Sequence, residues 1–396
     1  MKKIMILFCI CIILLTGCSS AKSGNMETWE GTRIQALEND SDQIFEYAVS
    51  LDKSYWGTET YPININRNFL GMCGTKVLYY DMQGTKNIAY VYDFESNQCL
   101  EIGDLGNFNY STRNGAFIDD TLFFELSGEI LYKFDFSSNE LSKVLEDENS
   151  LHIAEMTNIN DKILVLKGIK KTDGTMEYFL ETMDQEGKIT SVTLEYNEFN
   201  SFAADAADHR ISSIDSDGEY ILMLEQLDYG KDARYYFTKY TYDFTCVAAW
   251  EITDVLKAND IDSITDFYAF RDYFVVWCHD SDSTLLCECT DASVKRLMKE
   301  DKLVYAENSG INDTYEYFYK RRSNELYRLN KKTGLINILE GELDNCNTTI
   351  RWIKVENDML LIEKIGSDET RNGENFWYLV PGKNFSRIAQ MARAFE

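Results

Sequence analysis

The sequence predicts an all-β protein built from about seven repeats of four short strands, with six and eight as the adjacent possibilities. Three observations predict it. A small polar turn followed by a compact apolar run recurs seven times along the body, long helical periodicities are nearly absent, and a second strand-like run follows each of the seven.

The chain opens with Lys2 and Lys3, an apolar run over 4–15, and then the small residues that lead to Cys18. This is the layout of a secretory signal peptide over 1–17. A spanning helix needs roughly 20 apolar residues, and this run is shorter. The ending Leu15-Thr16-Gly17-Cys18 resembles the lipobox of bacterial lipoproteins. That resemblance implies a diacylglycerol on the Cys18 thiol, cleavage just before it, and further acylation such as palmitate. Two or more acyl chains hold a protein stably where one would not. The expected location is the extracytoplasmic face of the cell membrane, with the bilayer as a partner through that lipid. A polar tether over 18–32 and a lead-in segment over 33–65, with helix-compatible stretches, precede the body at 66–396.

The composition suits a large core, with 44% apolar and 13% aromatic residues. Formal charge is −27, and two units more negative once Lys2 and Lys3 leave with the leader. Such acidity excludes nucleic acid as an expected partner and keeps the body off anionic headgroups. Lys320, Arg321 and Arg322 are a local exception and read as a hairpin tip. Seven cysteines remain in the body, namely Cys73, Cys99, Cys246, Cys278, Cys287, Cys289 and Cys346. No CxxC pair occurs and most lie in apolar runs, so buried thiols are expected rather than a disulfide framework. Cys287 and Cys289 share one strand face without a third metal ligand.

The seven apolar runs fall at 77–80, 122–124, 163–166, 221–224, 274–277, 315–319 and 359–362. Turns such as Asn160-Asp161-Lys162 and Asp217-Gly218-Glu219 introduce them, and the second runs fall at 88–92, 130–134, 178–180, 235–242, 285–289, 326–329 and 376–379. Successive repeats start roughly 40 to 60 residues apart, the length of a four-stranded propeller blade. The first run of each repeat is continuously apolar, as strands buried on both faces are. Blades packed face to face bury their middle strands in that way, so the expected architecture is a β-propeller. Phrases such as Ile130-Leu131-Tyr132-Lys133-Phe134-Asp135 and Glu325-Leu326-Tyr327-Arg328-Leu329-Asn330 resemble the inner hairpins of bacterial β-propeller and TolB-like lipoproteins. The resemblance implies envelope proteins or cell-surface polymers as partners and fixes no functional residue.

Motif-borne catalysis finds no foothold. The chain holds no G-x-S-x-G elbow, H-E-x-x-H, Walker loop or dinucleotide fingerprint, and no cofactor or metal site is expected from it. Asp215, Asp217 and Gly218 resemble part of a calcium loop, but Ser213 and Leu224 stand where acids are needed, which leaves a turn opening the strand at Tyr220. His152, His209 and His279 lie in different repeats. His209 is the most informative, beside Asp205, Asp208 and Arg210 in a long insertion after the third repeat. Candidate ligand-surface aromatics outside the strand runs are Trp29, Trp56, Tyr61, Tyr110 and Tyr229. The expected function is a non-catalytic binding or scaffolding module for an envelope protein or a cell-surface polymer. The alternative is an extracellular propeller hydrolase or lyase acting on a glycan, which needs carboxylates converging in the central funnel.

Overall fold

The computed structural model describes 32–33, 47–51, most of the body from Phe69 to Pro381, and 388–392. The segments 107–110, 127–129, 147–152, 171–175, 229–232, 279–281, 307–313, 340–347 and 367–374, with some shorter turns, lie outside the described residues. Among the described residues thirty strands are arranged as seven antiparallel sheets that form the ring of a seven-bladed β-propeller.

Inside a blade the chain runs outward from the central channel. The first blade is Phe69–Cys73, Lys76–Gln83, Lys86–Asp93 and Gln98–Gly106. The second is Ser111–Ile118, Thr121–Leu126, Ile130–Asp135 and Glu140–Glu146, and the third is Ile153–Ile159, Lys162–Lys170, Met176–Met183 and Ile189–Ser191. The fourth is His209–Ser216, Ile221–Leu227, Arg234–Tyr240 and Cys246–Glu251, and the fifth is Asp266–Phe270, Tyr273–Cys278, Ser283–Thr290 and Ser293–Asp301. The sixth is Leu303–Tyr305, Tyr315–Lys320, Leu326–Asn330 and Leu335–Leu339, with Ile388–Ala392 added outside it.

The seventh blade closes the ring with both ends of the body. Thr348–Glu356, Met359–Gly366 and Asn375–Pro381 are completed by the N-terminal strand Tyr47–Leu51, beside which Thr32–Arg33 also pairs. The 33–65 segment therefore supplies a strand to the ring. Joining the chain ends within one sheet covers the edge of Asn375–Pro381 and ties the last blade to the start of the body.

The seven apolar runs of the sequence are the second strands of the seven blades, and the runs that follow them are the third strands. They are continuously apolar because each faces a neighbouring blade on both sides. Val77, Leu122, Ile163, Ile221, Val275, Phe318 and Leu360 are all within 1% of complete burial. The core is accordingly a set of wedges. One joins the first and second blades through Leu78, Phe124 and Phe134, and one joins the third and fourth through Leu164, Leu166, Leu180, Ile211 and Tyr240. Another joins the sixth, seventh and first around Trp352, Tyr79 and Tyr317.

The turns between first and second strands need a left-handed residue, and the polar clusters supply it. Gly74, Asp119, Asn160, Gly218 and Arg271 all have positive φ. At 217–220 the Asp217 carboxylate accepts the backbone N–H groups of Glu219 and Tyr220 at 3.0 and 2.8 Å, the strand-opening turn the sequence predicts there. Helix is confined among the described residues to Ser201–Ala204 and Thr253–Lys257, and neither is long and apolar enough to cross a membrane.

The cysteines sit where the strand runs place them. Cys99, Cys246, Cys278, Cys287 and Cys289 are buried, Cys73 is half-buried, and all six carry free thiols. Cys287 and Cys289 both enter the wedge between the fourth and fifth blades. Cys346 lies outside the described residues.

Candidate functional site

Two places on the ring gather polar side chains, and they behave differently. The first is the channel wall formed by the inner strands of blades three to six. Glu155 reaches from the third blade to the fourth, where its carboxylate accepts Ser213 Oγ at 2.7 Å and the Ile214 N–H at 2.5 Å. Ser213 Oγ also lies 3.3 Å from the carbonyl of Phe267 in the fifth blade. Asp215 repeats the motif one blade on, accepting the Ala269 N–H at 3.2 Å. In the sixth blade Tyr305 donates to Glu316 at 2.8 Å, and Lys331 Nζ donates to the other oxygen of Glu316 at 3.0 Å. Tyr268 and Tyr305 link the fifth and sixth blades ring to ring at 4.6 Å.

Glu316 is buried and Glu155 and Asp215 are half-buried in the channel wall, and loss of solvent there raises the carboxyls of Glu155 to about 8 and Asp215 to about 7. It raises Glu316 too, with the Lys331 ammonium pulling the other way. Each carboxylate is thus engaged by a neighbouring strand. Glu155 and Asp215 clasp one blade to the next, whereas Glu316 ties strands within blade six, a structural use of groups that elsewhere serve as acids and bases.

The second place is a cleft of about 400 Å³ where the third and fourth blades splay apart. Its origin is visible in the sheet. The third strand of blade three is eight residues long, Met176–Met183, but the outer strand Ile189–Ser191 has only three and pairs only with residues 181–183. After Val192 the chain leaves the sheet and crosses to the fourth blade, where Glu195 bridges Thr245. The cleft opens where a full-length outer strand would have continued. Tyr178, Phe179, Leu180 and Glu181 line it from the third strand, Ser191 to Tyr196 from the crossing segment, and His209, Arg210 and Ile211 from the fourth blade.

The crossing segment is held firmly. Asn197 Nδ2 donates to the Cys246 carbonyl at 2.7 Å, and Asn200, fully buried, donates to the Glu195 carbonyl at 3.1 Å and the Tyr240 hydroxyl at 3.3 Å. The Ser201–Ala204 helix then lays Phe202 on Tyr236, with ring centroids 3.9 Å apart and nearly parallel. At the base of the wedge Glu225, wholly buried, accepts three donors: His209 Nε2 at 2.7 Å, Thr238 Oγ1 at 2.6 Å and Tyr240 Oη at 2.8 Å. Burial and the Glu225 charge push the Tyr240 hydroxyl well above its ordinary range, and the Tyr196 hydroxyl upward as well. Arg210 is tied to Gln226 through Nε at 2.8 Å.

Five large apolar side chains stand exposed among the described residues, and four of them belong to this region. Ile169, Phe179 and Tyr196 line the cleft and Phe199 follows on the crossing segment, each 40 to 48% exposed, while Leu335 lies apart on the sixth blade.

Of the residues singled out in the sequence, the structure brings His209 to this cleft, as the first residue of the fourth blade's inner strand. Cys18, Trp29, Trp56, Tyr61, Tyr110 and Tyr229 lie outside the described residues, as do His152 and His279. Sequence reasoning missed Phe179, Tyr196 and Phe199. Phe179 sits in a strand run and reads as core, whereas Tyr196 and Phe199 fall inside the long insertion, which was the available signal. Among the described residues no three His, Cys, Asp or Glu side chains converge to hold a metal ion.

No protein-family model and no curated protein sequence matches the chain. Solved structures do. The crystal structure of an oligogalacturonate lyase from Vibrio parahaemolyticus superposes with a TM-score of 0.52 at 13% identity, over 91% of this chain and 98% of that one. An oligogalacturonate lyase in complex with manganese superposes with a TM-score of 0.51 at 11% identity, over 92% of this chain and all of that one. At such identities what the proteins share is the fold.

Proposed function

We propose that this protein is a lipid-tethered, non-catalytic binding propeller at the extracytoplasmic face of a bacterial membrane, and that it takes an envelope protein or cell-surface polymer at the cleft between blades three and four. One observation carries the reading: the exposed apolar side chains Ile169, Phe179 and Tyr196 line a single cleft, with Phe199 exposed on the segment that follows, while the channel carboxylates Glu155 and Asp215 are engaged in joining blades. The tether rests on Leu15-Thr16-Gly17-Cys18 and the polar segment after it.

The test is photocrosslinking in intact cells from a benzoylphenylalanine placed at position 196, with the same probe at position 335 as the control. A discrete adduct at 196 and none at 335 is the expected result; equal labelling at both, or none at 196, sinks the site. For the anchor, Cys18→Ala is expected to move the protein from the membrane pellet to the soluble fraction, and unchanged retention overturns the lipid.

A second reading, a glycan lyase or hydrolase, draws on the raised carboxyls of Glu155 and Asp215 in the channel and on the two lyase structures of the same fold. Cleavage of oligogalacturonate by the purified protein, lost in Glu155→Gln, would move the assignment to that reading.

A further inference from the structure

We infer that the ligand of the blade-three cleft is an extended polypeptide strand, with alternating apolar residues and basic flanks, that pairs with the open sheet edge at 176–179. The inference rests on the binding reading above and narrows its ligand to one class.

The backbone makes the case. In blade three the outer strand Ile189–Ser191 stops after three residues, whereas the outer strands of the other blades run five to nine. The last contact of the short strand's chain is the Val192 N–H donating to the Leu180 carbonyl at 2.9 Å. The peptide groups of Leu180 therefore face outward from the sheet. Since direction alternates along a strand, those of Tyr178 and Met176 face outward too. Beyond Leu180 no described strand pairs with that edge.

An edge of this kind presents N–H and C=O groups at the spacing of another polypeptide backbone. A sugar polymer has no matching array. The same propeller already accepts added strands elsewhere: Ile388–Ala392 pairs outside Leu335–Leu339 on blade six, and Thr32–Arg33 outside Tyr47–Leu51 on blade seven.

The surroundings define the peptide. Phe179 and Tyr196, both exposed and both lining the cleft, offer apolar surface for side chains of an added strand. Glu195 and Glu198 are exposed nearby and Glu181 lines the cleft, on a protein of net charge −27. Lysine or arginine at the ends of the strand complements them.

The probe is a phage-displayed library of random linear dodecapeptides, selected on the full chain in detergent. Enriched peptides are then synthesised and read by amide hydrogen exchange. The expected outcome is enrichment of alternating apolar sequences with basic flanks, and at least tenfold slower exchange at 176–179 in their presence. N-methylation of alternate peptide bonds, which leaves the side chains intact, should abolish binding. Tyr178→Pro, which removes an outward N–H, should do the same while keeping the unfolding transition. Protection confined to another part of the chain, undiminished binding of the N-methylated peptide, or failure to enrich any sequence overturns the inference. Protection of 176–179 in the absence of peptide, rising with protein concentration, overturns it in favour of a second copy. Crosslinking of position 196 to a glycan, with no peptide selected, overturns this inference and leaves the binding reading standing.

Discussion

His209 Nε2 lies 2.7 Å from Oε2 of Glu225, a carboxylate with no exposed surface in the wedge between blades three and four. The pair ties the first residue of the fourth blade's inner strand to its second strand, directly under the cleft. Thr238 and Tyr240 complete the shell, so every strong contact of that carboxylate comes from blade four itself.

Removing the acceptor leaves two buried donors, Thr238 and Tyr240, and the half-buried His209 without it. Glu225→Leu is expected to lower unfolding stability by about 3 kcal/mol, the usual cost of breaking a buried hydrogen-bonded charge. Urea denaturation measures this, and a loss below about 1 kcal/mol would show that the network contributes little.

Stability should fall as pH rises from about 4 to about 8. A carboxyl whose pKa is raised on folding keeps its proton in the native state where the unfolded chain has lost it. Burial raises Glu155 from 4.5 to about 8 and Asp215 from 3.8 to about 7. Their contribution is therefore complete below the unfolded values and is lost as pH climbs through the folded ones. Glu155→Gln, which imitates the protonated group, should flatten the profile. A slope identical to that of the parent protein would remove Glu155 from the account.

The thiols should be silent in the native protein. Burial pushes Cys73, Cys246 and Cys287 up to about 12 and Cys99 to about 11, which leaves almost no thiolate at pH 8. Ellman's reagent should label these cysteines only after denaturation, and reductant should leave the melting temperature unchanged. Rapid labelling of folded protein would contradict their placement in the wedges.

Closure of the seventh blade by Tyr47–Leu51 predicts that the N-terminal part of the body is not dispensable. Deleting residues 19–52 while keeping the leader and Cys18 should expose the edge of Asn375–Pro381 and lower the melting temperature by roughly 6 °C, corresponding to about 4 kcal/mol. Differential scanning calorimetry of the two forms decides this.

Much of the ring was legible because burial writes itself into composition. The second and third strands are enclosed by neighbouring blades, so they must be apolar along their length, and their runs at 163–166 or 274–277 stand out from polar turns. The inner strands were harder to read. Ile153–Ile159 mixes buried and half-buried residues without a clean alternation, and its acid Glu155 reads as a surface residue until the neighbouring blade is placed beside it. His209 was found through the long insertion around it. Phe179 was not, because an apolar residue in a strand run carries no mark of whether the next strand will cover it.

The sequence by itself determined the class of fold and the position of the middle strands, and brought the repeats to about seven, since these follow from local periodicity and from turns that need Gly, Asn or Asp. Only the tertiary structure decided what the chain does with its edges. The N-terminal strand completes blade seven, the outer strand of blade three stops short, and the channel acids join one blade to the next. Each depends on contacts between residues far apart in sequence, whose energies no local pattern encodes.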